Sequence, residues 1–99
     1  MKEYLANINK AFENRVRLGV MSILMVNETA DFNTLKEMFQ LTDGNLASHL
    51  SSLEKVAYIK VNKQFVGKKP QTTYEATQEG RNAFIEHLNA LETLIKNSK

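Results

Sequence analysis

Cysteine is absent from this sequence of 99 residues, and proline occurs only once, at Pro70. Without cysteine the chain has no disulfides, no thiolate ligands for a metal ion and no cysteine nucleophile. Its longest apolar run, LGVMSILMV, is about half the length that a membrane span requires. The N-terminus has no basic region followed by a small-residue cleavage site, which argues against a signal peptide. These absences predict a cytoplasmic protein with no membrane segment.

The sequence also shows no arrangement of residues that is typical of catalysis. There is no serine, histidine and acid motif, no phosphate-cradling glycine loop and no pair of carboxylates in an apolar setting. His49 and His87 fall on different predicted helices without ligand spacing, so neither a metal site nor a cofactor is expected. The sequence therefore predicts a protein that is not an enzyme.

Charge is unevenly distributed, although the net charge of +2 is too small to indicate a partner by itself. From Glu28 to Asp43 the acids outnumber the single basic residue, Lys36, whereas the stretch from Lys55 to Tyr74 contains lysines and no acid. A local basic run of this kind is typical of a nucleic-acid surface. On charge alone, a solvated lysine-rich hairpin fits equally well.

Apolar spacing predicts helices in the first third of the chain. Residues 4–12 have apolar positions at helical spacing, which predicts an N-terminal helical arm. Asn14 is predicted to cap the next helix, RVRLGVMSILMVN, which is apolar on most sides and should lie at the centre of the core. Asp31 and Phe32, which follow this helix, are too few to form more than one short strand.

Two short helices joined by a tight turn come next, and such a pair forms a helix-turn-helix unit. Asn33 is predicted to cap the first helix, TLKEMFQ, and Thr42 to cap the second, DGNLASHLSSLE. The second helix has one stripe of leucines at i, i+4 and i+7, which predicts that one face is buried. These leucines are Leu46, Leu50 and Leu53.

After this helix the spacing of the apolar residues changes to the alternation that is typical of β-strands, which predicts a hairpin. YIKVNKQFV alternates, with Ile59, Val61 and, after a slip in register, Phe65 on its inner face. GKKP predicts a turn, and QTTYEAT is a β-branched and aromatic return strand. Thr77 is predicted to cap the last helix, QEGRNAFIEHLNALETLIKN, whose apolar residues recur at a, d-like spacing.

The order of these elements predicts an α+β, mostly helical fold, the winged helix-turn-helix. It has a three-helix core, a two-stranded β wing and a C-terminal dimerisation helix, and the chain is long enough for one domain only. Within that domain we expect the arm at 1–13, the helix-turn-helix at 34–56, the wing at 58–76 and the last helix at 78–97.

From Arg15 to Ile95 the sequence resembles small winged-helix transcriptional regulators of the MarR/ArsR-like type, and especially the short, stand-alone winged-helix DNA-binding domain family. LKEMFQLTDGNLASHLSSLEKVAYI resembles the reading unit of that family, FVGKKPQTTYEAT its wing, and TQEGRNAF the start of its dimerising helix. Each motif alone is common, but their order and spacing make the combination specific. Two residues depart from the pattern, since Ala57 and Gln40 stand where the family often has glycine. Alanine with a positive φ costs on the order of 1 kcal/mol, so this helix end is expected to differ slightly.

The resemblance implies that the helix from Thr42 enters the major groove of DNA with its N-terminal half. With its leucines buried, the polar residues turn outward, where they can bond base edges or a phosphate. The same residue types also fit an ordinary solvated face, and for His49 this plainer alternative is the stronger one. The helix lacks arginine, so readout should favour adenine and DNA shape over bidentate contacts to guanine. The candidate DNA-contacting residues on this helix are Thr42, Gly44, Asn45, Ser48, His49 and Ser52.

Basic residues outside this helix are candidates for phosphate contacts. Arg15 and Arg17 open the core helix, and one of them is expected to face the DNA backbone. Arg81 fits either a surface ion pair with a glutamate or a phosphate contact. The candidates on the wing are Lys60, Lys63, Lys68 and Lys69.

The terminal apolar stripes predict a homodimer. The stripe of the last helix extends beyond what so small a domain can cover, and the N-terminal stripe lacks an obvious partner within the chain. Two-fold pairing of these segments would bury both, and similar regulators dimerise through their terminal helices. The candidate dimerisation residues are Leu5, Ile8, Phe12, Phe84, Leu88, Leu91 and Ile95.

The sequence therefore predicts a homodimeric, sequence-specific regulator that binds double-stranded DNA, a repressor acting at a pseudo-palindromic operator. An alternative is a winged-helix module for protein–protein assembly without specific DNA binding, and a third is an RNA-binding winged helix. No residue singles out a site for a small-molecule effector.

Overall fold

The computed structural model describes residues 5–97. A 3-10 helix, Lys10–Phe12, precedes the main elements, which are α1 (Arg15–Val26), β1 (Ala30–Asp31), α2 (Phe32–Phe39), α3 (Asp43–Lys55), β2 (Ile59–Val66), β3 (Lys69–Ala76) and α4 (Gln78–Asn97). The predicted winged helix-turn-helix fold is confirmed. Within the described range, no helix is both long enough and apolar enough to cross a membrane.

Three of the four predicted helix caps are present: Thr77 caps α4 by accepting from the amide of Gly80, and the other two cap α1 and α3. The side-chain oxygen of Asn14 accepts hydrogen bonds from the amides of Val16 and Arg17, at 2.9 and 3.1 Å. The hydroxyl oxygen of Thr42 accepts from the amide of Asn45 at 3.2 Å. Both caps satisfy amides that the first turn of a helix leaves without a partner, so these residues fix where α1 and α3 begin.

The predicted cap at Asn33 is wrong. Helix α2 begins two residues earlier than predicted, at Phe32, and the residue at its N-cap is Asp31. The carboxylate of Asp31 accepts a hydrogen bond from the hydroxyl of Thr34 rather than from an amide of the first turn. Asp31 also ends strand β1, so the chain passes from strand to helix without a loop.

The core lies where α1 packs against the helix-turn-helix unit. Helix α1 buries one side and leaves Val26 exposed, so it is less completely enclosed than its composition suggests. The leucines predicted to face inward from α3 are fully buried. The most deeply buried side chains of the core are Val20, Met21, Leu24, Leu35, Leu46, Leu50 and Leu53.

Helices α2 and α3 both end in a left-handed residue that is not glycine. Gln40 has φ of 52° and Ala57 has φ of 61°. After α3, the amide of Ala57 donates to the carbonyl of Glu54 at 2.9 Å and that of Tyr58 to the carbonyl of Leu53 at 3.0 Å. These two bonds form a Schellman motif. The absence of glycine therefore does not remove the left-handed turn, although a strained residue occupies it.

The sheet has three antiparallel strands in the order β1-β3-β2, so the short strand β1 extends the predicted two-stranded wing. Ile59 pairs with Ala76 at the base of the hairpin, and Val66 pairs with Lys69 at its tip. A two-residue turn follows Val66, and Gly67 adopts φ of 66°, which glycine tolerates without strain. β1 pairs only with Tyr74 and its neighbour Thr73, so the outer half of the hairpin is two-stranded.

The N-terminal segment is not the continuous helix that was predicted over residues 4–12. Residues 6–8 form a turn and a bend before the 3-10 helix, and Tyr4 lies outside the described residues. The amide of Asn9 donates to Nδ1 of His87 at 3.0 Å, and its side-chain amide donates to the hydroxyl of Tyr58 at 2.9 Å. Phe12 stacks on Tyr58 and packs edge-on against Phe84. This segment therefore does have a partner within the chain.

Arg81 contacts the end of α1, a role that the sequence did not predict. Its guanidinium donates to the backbone carbonyls of Leu24 and Met25, at 3.2 and 3.3 Å. Both carbonyls lie in the last turn of α1, where backbone oxygens have no partner within the helix and the dipole is negative. Arg81 therefore ties α4 to the end of α1.

The start of α4 is packed closely against the turn that follows α3. Thr77 donates through its hydroxyl to the carbonyl of Ala57 at 2.6 Å, and the same oxygen accepts from the amide of Gly80 at 2.9 Å. The amide of Thr77 donates to the carbonyl of Tyr58 at 3.0 Å. A Cβ added to Gly80 would lie 2.1 Å from that carbonyl oxygen. The junction therefore requires glycine at this position because of close backbone approach.

Candidate nucleic-acid interface

Helix α3 presents a polar face to solvent because its leucines are turned inward. Asn45, Ser48 and Ser52 are exposed, and His49 beside them is half-buried. The hydroxyl of Ser52 donates to the carbonyl of Ser48 at 3.1 Å, which still leaves its oxygen able to accept. Asn45 carries both donors and acceptors. This face can therefore form several hydrogen bonds to base edges and carries no charge of its own.

The first turn of α3 is suited to approach by an anion. Thr42 and Gly44 are both exposed, and a Cβ on Gly44 would meet nothing within 4 Å. The amides of a helix N-terminus attract negative groups such as phosphates. Asp43 in the same turn would oppose a phosphate, but its carboxylate lies 2.7 Å from the ammonium of Lys36 in α2. The negative charge on this turn is therefore locally compensated.

His49 is tied to α1, which the sequence did not reveal. Nδ1 of His49 lies 3.2 Å from Nη1 of Arg17. Burial, and then the nearby Arg17 guanidinium, lower the pKa of His49 below its usual value of 6.5. His49 is therefore a neutral side chain at pH 7. Of Arg15 and Arg17, one was expected to face the DNA backbone, and Arg17 is engaged with the protein itself.

The four candidate lysines of the wing are exposed but not equivalent. Lys63, Lys68 and Lys69 lie in the outer part of the hairpin, with Lys68 in the turn. Lys60 lies near the base, 3.8 Å from the carboxylate of its cross-strand partner Glu75. This exposed pair contributes little to stability, yet it lowers the positive potential at the base. The basic charge of the wing is therefore concentrated toward the tip.

Phe65 is a surface residue that the sequence analysis misplaced. It lies on the same face of β2 as Ile59 and Val61 without any slip in register, but the hairpin extends beyond the core at that point. Phe65 is 75% exposed and pairs with Pro70 across the hairpin. The lysine-rich tip of the wing therefore also carries an apolar aromatic side chain, and alternation alone could not separate this exposed position from a buried one.

The residues predicted for dimerisation fall into two groups. Phe12 and Phe84 are 2% and 4% exposed and belong to the core of the single chain, so they have no surface left for a second chain. Ile8 is half-buried and Leu5 exposed. The candidates Leu88 and Leu91 are exposed on the outer side of α4, and so is Ile85, which widens the same apolar stripe. Ile95 is exposed as well.

A shallow groove runs beside this apolar face of α4. Its lining combines polar side chains of α4 with Asn7 of the N-terminal segment. On α4, His87 is buried against Phe12, with ring centroids 5.3 Å apart. Burial lowers the pKa of His87, and Glu13 opposes that shift. His87 thus accepts the Asn9 amide hydrogen bond as a neutral side chain and supports the N-terminal segment on α4.

Comparison with known proteins gives a consistent result. The sequence model of the family described as winged helix DNA-binding domain matches residues 16–95. A protein of Methanocaldococcus jannaschii described as uncharacterized is 35% identical over 88 residues, which cover 89% of this chain and 96% of that protein. The structure of a transcriptional regulator homologue from Pyrococcus horikoshii OT3 is 32% identical, with a TM-score of 0.83. The matched region covers 96% of this chain and 92% of the Pyrococcus horikoshii chain.

A more distant likeness concerns the fold alone. The structure of reduced AbfR bound to DNA has a TM-score of 0.73 and 17% identity, covering 93% of this chain and 66% of that one. The family match spans every element from α1 to α4, including the exposed polar face of α3 and the basic wing. The chain belongs to the winged helix DNA-binding domain family.

Proposed function

We propose that this protein is a homodimeric, sequence-specific repressor that binds a pseudo-palindromic operator in double-stranded DNA. Helix α3 lies in the major groove, the lysines of the wing contact phosphates, and two copies of α4 pair about a two-fold axis. The half-sites are then about 10 base pairs apart, since each protomer meets the same groove one turn along.

The observation that carries the proposal is the separation of charge from hydrogen-bonding capacity. The exposed face of α3 is uncharged and rich in hydrogen-bonding groups, whereas exposed lysines cluster at the outer part of the wing. Phosphate contacts supply affinity that is independent of sequence, and base-edge contacts supply specificity. The DNA-bound structure of the distant neighbour AbfR gives further support to duplex DNA as the partner.

The contribution of the wing is tested with single lysine variants. Lys68→Ala should weaken binding to all duplexes and reduce the slope of log affinity against log salt by about 0.9 per lysine, or about 1.8 per dimer. Lys96→Ala, which removes one exposed charge from the far end of α4, is the matched control and should leave the slope unchanged. Equal slopes for Lys68→Ala and the unmodified protein would contradict the wing contact.

The reading role of α3 is tested by selecting bound sequences from a random duplex pool. The unmodified protein should enrich a pseudo-palindrome, and Asn45→Ala should relax preference at one base pair per half-site, at a cost of about 1–3 kcal/mol. Asn97→Ala, at an exposed asparagine that ends α4, is the control. Binding to duplex DNA no tighter than to heparin would contradict sequence-specific recognition and favour an assembly module. Repression is tested by a reporter gene placed behind the selected sequence, whose expression should fall when the protein is supplied.

The dimer is supported by the apolar outer face of α4. Leu88 and Leu91 are 46% and 36% exposed, and Ile85 widens the same face. The double variant Leu88→Glu with Leu91→Glu should sediment as a monomer, because dimerisation would bury carboxylates in an apolar interface. Gln78→Glu places a charge at the start of the same helix and is the control. A dimer mass for the double variant would contradict this interface.

A further inference from the structure

One side chain of the reading face is held by a residue from another element. Arg17 in α1 donates through Nε to the carbonyl of Ala11 at 2.7 Å, and its Nη1 lies 3.2 Å from Nδ1 of His49 in α3. The Ala11 carbonyl belongs to the 3-10 helix that precedes α1. The guanidinium therefore joins three parts of the chain at one point, and only one of them is the reading helix.

The chemistry of this contact fixes the proton on His49. A guanidinium carries donors only and stays protonated in proteins, so the group facing it must accept. Nδ1 of His49 is therefore unprotonated, and the single proton of the neutral imidazole lies on Nε2. The lowered pKa of His49 agrees with this arrangement.

The second ring nitrogen is left open to solvent. Within the described part of the chain, every fully buried side-chain nitrogen or oxygen has a hydrogen-bond partner. The ring of His49 makes its hydrogen bond through Nδ1, to Arg17, and Nε2 makes none to another described residue. If Nε2 were buried, it would therefore be an exception to this rule. Nε2 is therefore accessible. On the helix, His49 follows Asn45 by four residues and precedes Ser52 by three, so it lies in the row of residues that forms the polar face.

We propose that Arg17 is a positioning residue that holds His49 as the Nε2–H tautomer, so that α3 presents a fixed hydrogen-bond donor to one base edge. This inference rests on the proposed DNA-binding function. A fixed donor fits the acceptors of the major groove, which are N7 and O6 of guanine, N7 of adenine and O4 of thymine. It does not fit the amino group of cytosine, which is itself a donor. His49 thus selects against cytosine at the base that it meets.

The tautomer is measured on the free protein, without DNA, by long-range proton–nitrogen correlation NMR of the imidazole rings at pH 7.5. His49 should appear as the Nε2–H form alone, and in Arg17→Met it should become a mixture of tautomers with a higher pKa. Arg15→Met removes an exposed arginine of the same helix and is the matched control. His87, whose Nδ1 accepts from an amide, should be unchanged in both variants. A mixture of tautomers at His49 in the unmodified protein would overturn the proposal.

The DNA measurement uses the sequence enriched from the random pool, with all four base pairs placed in turn at each position of the half-site. Loss of one hydrogen bond corresponds to about 2- to 12-fold in affinity. His49→Asn keeps an acceptor for Arg17 and removes the Nε2–H donor, and the amide donors of the shorter side chain lie nearer the backbone than Nε2, so discrimination against cytosine at one position should fall by that factor. Arg17→Met should cause a partial loss at the same position, while Arg15→Met should not.

Two outcomes separate this inference from the function on which it rests. If the unmodified protein selects no duplex sequence, the proposed function fails, and the NMR result still decides whether Arg17 fixes the tautomer. If the protein selects a sequence and Asn45→Ala relaxes it, but His49→Asn changes no base preference, then the proposed donor role of His49 is wrong although DNA recognition stands.

Discussion

Replacement of Gly80 by alanine should strongly destabilise the fold. The added Cβ would lie 2.1 Å from the carbonyl oxygen of Tyr58, and contacts shorter than 3.0 Å are essentially never found for real Cβ atoms. The two groups must therefore separate by roughly 1 Å, and both belong to backbone rather than to a flexible side chain. The same oxygen accepts the amide of Thr77 at 3.0 Å, so the required movement also breaks that hydrogen bond.

The expected magnitude follows from three contributions. Forcing extra volume into a packed site costs about 1–3 kcal/mol, and loss of the hydrogen bond to Tyr58 costs about 1 kcal/mol. Alanine is better than glycine inside a helix by roughly 0.5–1 kcal/mol, which offsets part of the loss. The free energy of unfolding should therefore fall by about 1–3.5 kcal/mol, and the melting temperature by about 4–8 °C for each kcal/mol lost in a domain of this size.

Urea unfolding followed by circular dichroism measures this change, with all variants at one protein concentration because a dimer's stability depends on it. Gly44→Ala is the matched control, since a Cβ there meets nothing within 4 Å. It should leave stability unchanged or raise it by up to about 1 kcal/mol. A Gly80→Ala variant within about 0.5 kcal/mol of the unmodified protein, well below the usual cost of overpacking, would refute the argument that this backbone contact is rigid.

Three further changes test other parts of the fold and the interface. Ala57→Gly should raise the free energy of unfolding by about 0.5–1 kcal/mol in urea titrations, because relief of left-handed strain exceeds the added entropy of the unfolded chain. For His87, burial lowers the folded pKa below 6.5, so the unfolded state binds more protons as the pH falls below that value and stability decreases. Urea midpoints at pH 7.5 and 5.5 should show this decrease in stability. His87→Asn keeps an acceptor for the Asn9 amide and should make the decrease smaller. The decrease that remains is the part due to His49, whose pKa is also lowered. Phe65→Thr should leave stability nearly unchanged because the ring is exposed, but should weaken duplex binding without altering its salt slope, as measured by titration at several salt concentrations.

Much of the fold follows from local sequence rules. The leucine stripe of α3 has the spacing of a single buried face, and the caps at Asn14 and Thr42 lie immediately before runs of helical residues. The change from a period of 3.6 to one of 2 marks the hairpin. These features depend on neighbours along the chain, and for that reason they can be predicted without knowledge of tertiary contacts.

Apart from the cap at Asn33, the main failures concern contacts between residues far apart in the sequence. The N-terminal segment has helical spacing, yet its conformation is decided by hydrogen bonds from Asn9 to His87 and Tyr58. Arg81 looks like a surface residue until the end of α1 is seen beside it. The same limit applies to the candidate site. The polar residues of α3 could be named from periodicity, but the link from His49 to α1 could not.

The shape of the hairpin has a consequence for the energetics of contact with a partner. Its strands of eight residues extend for about 26 Å, and beyond the pairing of β1 with Thr73 and Tyr74 the outer half of the hairpin is two-stranded. Two-stranded hairpins are marginal in water, so amide hydrogen exchange should become faster from Tyr74 toward Lys68. The strand ends at the tip of the hairpin can then separate without unfolding of the core. A partner that binds the tip must supply the free energy that keeps these strand ends paired. In the proposed complex with DNA, part of the attraction between the wing lysines and the phosphates would therefore offset the cost of ordering the strand ends, and protection of those amides on binding would measure that part directly.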